Sequence, residues 1–140
     1  MSGEVHAGCV AIGGRGVLIA GASGRGKSDL ALRLIDRGAQ LVSDDYSLLR
    51  AEGGRLYASA PPAIAGRIEV RGVGMMEVAA LAEAPVCLLV DLDRPPERLP
   101  EAGRATFLGR DVPTVALAAL EASAPIKLEL ALATFGLPLP

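Results

Sequence analysis

A glycine-rich segment near the amino terminus has the residue types and the spacing that bind phosphate. It matches the pattern G-x-x-x-x-G-K-[ST] at every fixed position. Its members are Gly21, Ala22, Ser23, Gly24, Arg25, Gly26, Lys27 and Ser28. Glycines let backbone N–H groups converge on phosphate oxygens, Lys27 is expected to reach the β- and γ-phosphates, and the Ser28 hydroxyl can ligate magnesium. The segment therefore predicts a site for a nucleoside triphosphate with Mg2+.

The elements around this loop suit the same interpretation. Residues 17–20 form a short apolar run that predicts a strand, and residues 28–37 place Leu30, Ala31, Leu34 and Ile35 at the spacing of one helix face. Gly38 follows as a carboxyl-terminal cap. A strand, a phosphate loop and a helix in this order direct the positive helix end toward the bound anion.

The rest of the chain predicts mostly strands. We expect strands at residues 4–12, 41–43, 86–90 and 112–117, and a hairpin of residues 46–50 and 55–59 around Glu52-Gly53-Gly54. Residues 67–78 predict a strand, loop and turn around a site, and residues 91–104 an exposed loop. Ser123 and Pro125 predict the start of a helix that ends near Phe135.

Composition restricts the class of protein. A length of 140 residues suits one domain, so we expect residues 1–140 to form a single domain without a separate amino-terminal one. A net charge of -2 and an aromatic content of 3% argue against nucleic-acid binding. No apolar run is long enough to span a bilayer and no secretory signal is visible, which favours the cytoplasm. Cys9 and Cys87 lie in apolar runs and are expected to be buried free thiols.

Two acidic segments compete for the remaining roles in phosphoryl transfer. Asp91 follows an apolar run as a Walker B aspartate does, whereas Asp44 and Asp45 follow a shorter strand; pattern alone favours Asp91. Adjacent strand residues point to opposite faces, so Asp44 and Asp45 act together only if the strand ends before them. His6 is the only histidine, and a single histidine on a strand is more often structural than catalytic.

Taken together, these segments resemble the catalytic domain of HPr kinase/phosphorylase. That family has a histidine on the strand before its P-loop, a strand that ends in two aspartates, and an acidic-x-Arg-Gly-x-Gly signature. Here these are His6, Asp44-Asp45 and the run I-E-V-R-G-V-G-M-M-E-V at residues 68–78. The resemblance extends from about residue 5 to residue 117.

The resemblance implies an α/β fold, a single P-loop kinase domain with a mainly β core and a few helices. It implies an ATP-dependent kinase that phosphorylates a serine of an HPr-like phosphocarrier protein in the regulation of the phosphotransferase system, with ATP and Mg2+ as cofactors. Members of the family are hexamers, so a homo-oligomer is expected. The family also runs a phosphate-driven reverse reaction, but residues 118–127 contain no arginine where its Pro-Gly-Arg-Asn-like motif is expected. The reverse reaction is therefore left open.

The resemblance also implies a role for each candidate residue. Asp45 handles the proton of the reacting hydroxyl, with Asp44 and His6 in support, while Ser28 and Glu69 match the magnesium ligands. Arg98 matches a catalytic arginine. Asp91 then becomes an ordinary residue of a core strand.

Two rival functions remain compatible with the residues alone. A kinase for a small metabolite needs a lid with several arginines, and Arg94, Arg98, Arg104 and Arg110 fall in one segment. A regulator that binds nucleotide without catalysis is the other rival, and the presence of Lys27 together with the acidic residues argues against it.

Overall fold

The computed structural model describes residues 2–140 as a mixed α/β structure made mostly of strands. Its helices are α1 (Lys27–Asp36) and α2 (Ala124–Phe135). Its strands are β1 (Ser2–Val5), β2 (Ala7–Ile12), β3 (Arg15–Ala20), β4 (Gln40–Ser43), β5 (Ser47–Glu52), β6 (Arg55–Ser59), β7 (Arg67–Val70), β8 (Gly74–Glu77), β9 (Glu83–Asp91), β10 (Gly103–Phe107) and β11 (Arg110–Ala116). A single 3-10 turn, Pro62–Ile64, lies between β6 and β7. The expected α/β fold with a mainly β core is confirmed.

One large sheet organises the molecule, with the strand order β1-β5-β6-β9-β3-β2-β4. The long strand β9 pairs with β3 along one edge. Along its other edge it pairs first with β6 and then, nearer its carboxyl end, with β11, which carries β10. A separate hairpin, β7–β8, lies beside α1 and β4.

Strand directions bring the chemically interesting segments to one edge of this sheet. Strands β3, β9 and β11 are parallel, while β2 is antiparallel to both of its neighbours, β3 and β4. The carboxyl ends of β3 and β4 therefore lie at the same edge, where β2 begins. His6 precedes β2, residues 21–28 follow β3, and Asp44 follows β4, so all three meet there.

The two faces of the sheet bury separate apolar clusters, as the period of two along each strand requires. In β3, Val17 and Ile19 face the helices, whereas Leu18 faces the opposite cluster. In β9, Leu88 and Val90 face the helices and Leu89 the other side. A continuous apolar run on both strands is typical of parallel strands that are covered on both faces.

Both predicted helices are confirmed to within about one residue. Gly38 adopts a left-handed φ of 106° after α1, and its N–H donates to the carbonyl of Ile35 at 3.0 Å. Ser123 stands at the start of α2, but its side chain makes no capping hydrogen bond.

The structure differs from the sequence-based expectation in two places. Residues 4–12 do not form one strand, because the chain bends at His6 and β1 leaves to pair with β5. Strand β10 begins at Gly103, inside the expected exposed loop of residues 91–104. Only Ala105 and Phe107 of this strand pack against the core, which is too short an alternation to predict a strand. The turn at Leu108 and Gly109 joins it to β11.

Both cysteines are free and buried, as predicted. Burial raises the pKa of the Cys9 thiol to about 12. Neither helix in the described part of the chain has the length and apolarity to cross a membrane.

The contact between β3 and β9 predicts a strong steric effect at Gly16. A Cβ built on Gly16 would lie 2.7 Å from the carbonyl oxygen of Pro85. We expect Gly16→Ala to lower the free energy of unfolding by about 1–3 kcal/mol through overpacking, measured by urea denaturation. Gly103→Ala is the matched control, since a Cβ there meets nothing closer than 3.7 Å. Equal stability of the two variants would contradict this account.

Candidate active site

The phosphate loop has the backbone geometry that anion binding requires. Gly24 and Gly26 have φ values of 86° and 95°, which side chains with a Cβ rarely adopt. Gly26 is also the N-cap residue of α1, so the amino-terminal end of this helix opens toward the loop. The loop borders a cavity of about 550 Å³ whose other walls include Asp44, Asp45 and residues 69–71.

Asp44 connects three segments of the site. Ser28 Oγ donates to Asp44 Oδ1 at 2.7 Å, and the backbone N–H of Glu69 donates to Asp44 Oδ2 at 3.0 Å. The carboxylate thus joins the start of α1 to the end of β4 and to the hairpin β7–β8. Glu69 is thereby fixed at the cavity wall, although its side chain is exposed.

Asp45 lies beside two basic side chains. His6 Nε2 is 3.1 Å from Asp45 Oδ1, and Lys27 Nζ is 3.7 Å from the same oxygen. Lys27 is only 7% exposed, whereas the side chain of Asp45 is 52% exposed. One carboxylate oxygen therefore faces both bases while the group stays accessible from the cavity.

The backbone explains how two adjacent aspartates face one cavity. Strand β4 ends at Ser43, and Asp45 takes a left-handed φ of 68°. The N–H of Tyr46 donates to the carbonyl of Asp44 at 2.8 Å, and Ser43 Oγ donates to the carbonyl of Tyr46. The chain has therefore left the extended conformation before Asp44, which is the condition for both aspartates to act together.

His6 is held by stacking as well as by hydrogen bonding. Its ring stacks on Tyr46 with centroids 4.5 Å apart and planes 20° from parallel. Because Tyr46 follows the aspartate pair directly, this stacking fixes the imidazole next to Asp45. The only histidine of the sequence is thus part of the site.

Lys27 bridges the loop and the acidic pair. Its ammonium group donates to the carbonyl of Gly21 at 2.6 Å and lies near Asp45 on the other side. The buried ammonium group lies at the amino-terminal end of α1, and both features attract anions. Triphosphate oxygens are anionic ligands of this type.

The oxygen donors of the site fit magnesium in the presence of phosphates. Ser28 Oγ, the Asp44 carboxylate and Glu69 supply only oxygen, the ligand type that Mg2+ prefers. Within residues 2–140, no three His, Cys, Asp or Glu side chains are grouped closely enough to hold a metal alone. Magnesium usually takes one or two carboxylates, and phosphates and water supply its other ligands.

Two other candidates lie away from this cavity. The carboxylate of Asp91 accepts the N–H of Asp93 at 2.8 Å and Nε of Arg94 at 3.0 Å, so it turns into its own loop. Arg98 lies in an exposed stretch and does not line the cavity. Its catalytic role stays a prediction.

Sequence reasoning missed three residues of the site. Tyr46 stacks on His6, Leu120 reaches the cavity from the segment after β11, and Asp93 contacts the first part of the phosphate loop. Adjacency to the aspartates could have indicated Tyr46. No sequence signal marks Leu120 or Asp93, because both come from loops that tertiary structure brings close.

Comparison with known proteins gives consistent matches. Residues 1–84 match the family described as HPr Serine kinase C-terminal domain, which is more than half of the chain. The chain belongs to this family.

Its relatives include HPr kinase/phosphorylase of Clostridium botulinum (strain Eklund 17B / Type B), 44% identical over 78 residues, which are 56% of this chain and 26% of that protein. HPr kinase/phosphorylase of Mycoplasmopsis pulmonis is 40% identical over 78 residues, which are 56% of this chain and 25% of the relative. The chain thus spans about a quarter of the length of these relatives.

A solved structure resembles nearly the whole molecule. The Hpr(Ser) kinase/phosphatase from Coxiella burnetii superposes with a TM-score of 0.82 at 31% identity and covers 94% of both chains. The likeness in structure therefore continues well beyond residue 84.

The left-handed backbone of Asp45 leads to a stability prediction. Asp45→Gly and Asp45→Ala both remove the carboxylate, but only alanine retains a Cβ in the left-handed region. We expect the glycine variant to be more stable by about 1 kcal/mol, measured by thermal or urea unfolding. The same pair of changes at Asp36 in α1 is the control, where alanine should be the more stable. An alanine variant at Asp45 as stable as the glycine variant would contradict the strained conformation.

Proposed function

We propose that this domain is an ATP-dependent protein-serine kinase that acts on an HPr-like phosphocarrier protein. The observation that supports this most directly is the position of Asp45, accessible beside Lys27 and the phosphate loop, while Asp44 is held by Ser28. A phosphate site and an accessible carboxylate next to it are the two components that transfer to a hydroxyl requires. Family membership and the names of the relatives supply the acceptor.

In the proposed reaction the serine oxygen attacks the γ-phosphorus of ATP in line with the leaving oxygen of ADP. The new oxygen–phosphorus bond forms as the γ–β bridging bond breaks, and Asp45 accepts the hydroxyl proton. Lys27 and the N–H groups of residues 23–28 stabilise negative charge on the transferring group and on ADP. His6 keeps the Asp45 carboxylate directed at the cavity through the 3.1 Å contact.

Ser28, Asp44 and Glu69 are the residues that we propose hold magnesium. When bound, Mg2+ neutralises charge on the phosphates and fixes their orientation. The hydrogen bond from Ser28 to Asp44 already brings two of these oxygen ligands together. Arg98 is proposed to contribute positive charge to the transferring phosphoryl group, as the family resemblance implies.

The reverse reaction, in which inorganic phosphate attacks phosphoserine, is a separate proposal. Asp45 would return its proton to the serine oxygen, since the same group serves both directions. The relatives are named kinase/phosphorylase and kinase/phosphatase, which supports it. The lack of arginine at residues 118–127 leads us to expect it to be slower than phosphorylation.

We also propose that residues 1–140 act as a single domain in the cytoplasm and form a homo-oligomer, a hexamer by family resemblance. Exposed apolar side chains on α2 support assembly, since Ile126 is 45% exposed and Leu130 is 62% exposed. Sedimentation of the purified chain tests the assembly.

A transfer assay tests the kinase directly. The purified protein is mixed with labelled ATP, magnesium and an HPr-like protein, beside the same acceptor with its target serine replaced by alanine. We expect label on the wild-type acceptor alone, and label on neither with nucleotide binding intact would overturn the proposal. Label on a small hydroxyl compound instead would identify a metabolite kinase. Phosphate added to the phosphorylated acceptor tests the reverse reaction.

Two substitutions separate binding from chemistry. We expect Asp45→Asn to retain ATP binding and lose transfer by about 10²-fold or more, because the amide cannot accept the proton. We expect Lys27→Ala to abolish transfer, since the loop loses its charge directed at the phosphates. Rates are measured at saturating ATP, and ATP affinity by calorimetry. Transfer at the wild-type rate in Asp45→Asn would remove Asp45 from its role.

A further inference from the structure

The carboxylate of Asp93, which lies outside the cavity, accepts a hydrogen bond from the start of the phosphate loop. The backbone N–H of Ala22 donates to Asp93 Oδ1 at 3.0 Å and to Oδ2 at 3.1 Å. Arg25 Nε lies 3.3 Å from Asp93 Oδ1. Asp93 therefore binds two residues of the loop at once, and it belongs to the segment that follows β9.

The peptide unit between Gly21 and Ala22 is held at both of its polar ends. Its N–H donates to Asp93, and its carbonyl accepts Lys27 Nζ at 2.6 Å. A peptide unit is planar, so fixing the direction of the N–H also fixes that of the carbonyl. The orientation that Asp93 imposes is therefore the one that presents an acceptor to Lys27.

Asp93 is itself held by neighbouring groups. Its own N–H donates to Asp91 Oδ1 at 2.8 Å, and the other oxygen of Asp91 accepts Arg94 Nε at 3.0 Å. The N–H of Leu92 donates to the carbonyl of Ala20 at 2.8 Å, which continues the pairing of β9 with β3. A Cβ on Gly21 would lie 3.1 Å from the Cβ of Leu92, so the two segments are in close contact.

We propose that Asp93 is a positioning residue of the nucleotide site, which acts through the Gly21–Ala22 peptide unit on Lys27. The proposal rests on the proposed function, because it assumes that Lys27 serves a phosphate. Asp93 keeps the Ala22 N–H away from the anion, so phosphate is bound by the later N–H groups of the loop. It also holds the guanidinium of Arg25 outside the cavity, which Arg25 does not line. Asp91 orients Asp93, so the residue that resembles a Walker B aspartate supports the loop instead of a metal.

Neither the aspartate pattern nor the family match points to this role. Residues 1–84 match the family, and Asp93 lies beyond them. The arrangement depends on a bifurcated hydrogen bond, in which the single Ala22 N–H is shared by both oxygens of the Asp93 carboxylate. A hydrogen bond to an ionised group is stronger than a neutral one. Its loss frees the Gly21–Ala22 peptide unit to rotate, and Lys27 then loses a defined partner.

The experiment compares Asp93→Ala, Asp93→Asn and the control Asp36→Ala on the full chain. Asp36 is an exposed carboxylate in the last turn of α1, at the opposite end of this helix from the loop. Binding of ADP with magnesium is measured by calorimetry, and the amide of Ala22 is observed by NMR.

We expect Asp93→Ala to weaken ADP binding by about 10-fold or more and to shift the Ala22 amide upfield, since its acceptor is gone. Asp93→Asn, nearly identical in shape, should retain one acceptor oxygen and bind ADP with intermediate affinity. Asp36→Ala should bind as the wild type does.

Three results would overturn the proposal. The first is wild-type ADP affinity in Asp93→Ala, and the second is an unchanged Ala22 amide in that variant. The third is a double-variant result. If Arg25→Ala weakens ADP binding as much as Asp93→Ala does, and the double variant is no weaker than either, the effect belongs to the ion pair alone. If Asp93→Ala fails to fold, the same criteria apply to Asp93→Asn. A wild-type protein that binds ADP but transfers no phosphate to protein would overturn the kinase alone, because these measurements require no transfer.

Discussion

The hydrogen bond from Ser28 Oγ to Asp44 Oδ1, 2.7 Å long, joins the amino-terminal end of α1 to the end of β4. The sheet topology already brings these two segments close together. Because β2 runs antiparallel between β3 and β4, the carboxyl ends of β3 and β4 lie at the same end of the sheet. The hydrogen bond turns that proximity into a defined geometry. With the second oxygen of Asp44 bound to the N–H of Glu69, the hairpin β7–β8 is placed by the same carboxylate.

Charge is the main constraint on such a site, since two adjacent carboxylates must coexist with a highly charged phosphate ligand. The two carboxylates have separate partners. Asp44 accepts hydrogen bonds from the Ser28 hydroxyl and the Glu69 N–H, while Asp45 faces His6 and Lys27. Asp44 is thereby satisfied within the protein, whereas Asp45 remains 52% exposed toward the cavity. The strained backbone at Asp45 produces this difference, because a left-handed residue after the strand turns the two side chains to different neighbours.

Local pattern was sufficient for the parts of the fold that depend on local interactions. The phosphate loop, the strand before it and α1 follow from glycine positions and apolar spacing, and they occur as expected. Strand β10 could not be found this way, because its side chains are mostly exposed and only Ala105 and Phe107 alternate toward the core. The bend at His6 could not be found from the sequence either. Strands β1 and β2 pair with different neighbours, but their residues form one continuous run of strand-like sequence.

The acidic residues illustrate the limit of pattern at a site. Asp91 has the better Walker B sequence, yet its carboxylate is occupied by the backbone of Asp93 and by Arg94. What decides the matter is the direction of the chain after the strand, and residue types alone do not encode it. The resemblance to the kinase family implies the roles of Asp44 and Asp45, which both line the cavity; these roles are a proposal.

The segment after residue 84 belongs to the site although few of its residues resemble catalytic ones. Strand β9 lies between β3 and β6, so β3 has β2 as its other neighbour and depends on β9 for the second row of hydrogen bonds. The phosphate loop begins where that row ends, and the N–H of its second residue, Ala22, donates to Asp93. A loop rich in glycine has much conformational entropy to lose, and a fixed first turn reduces the number of conformations that ligand binding must select. The conformation of the phosphate loop therefore depends on contacts from the segment that follows β9, where Leu92 binds Ala20 and Asp93 binds Ala22.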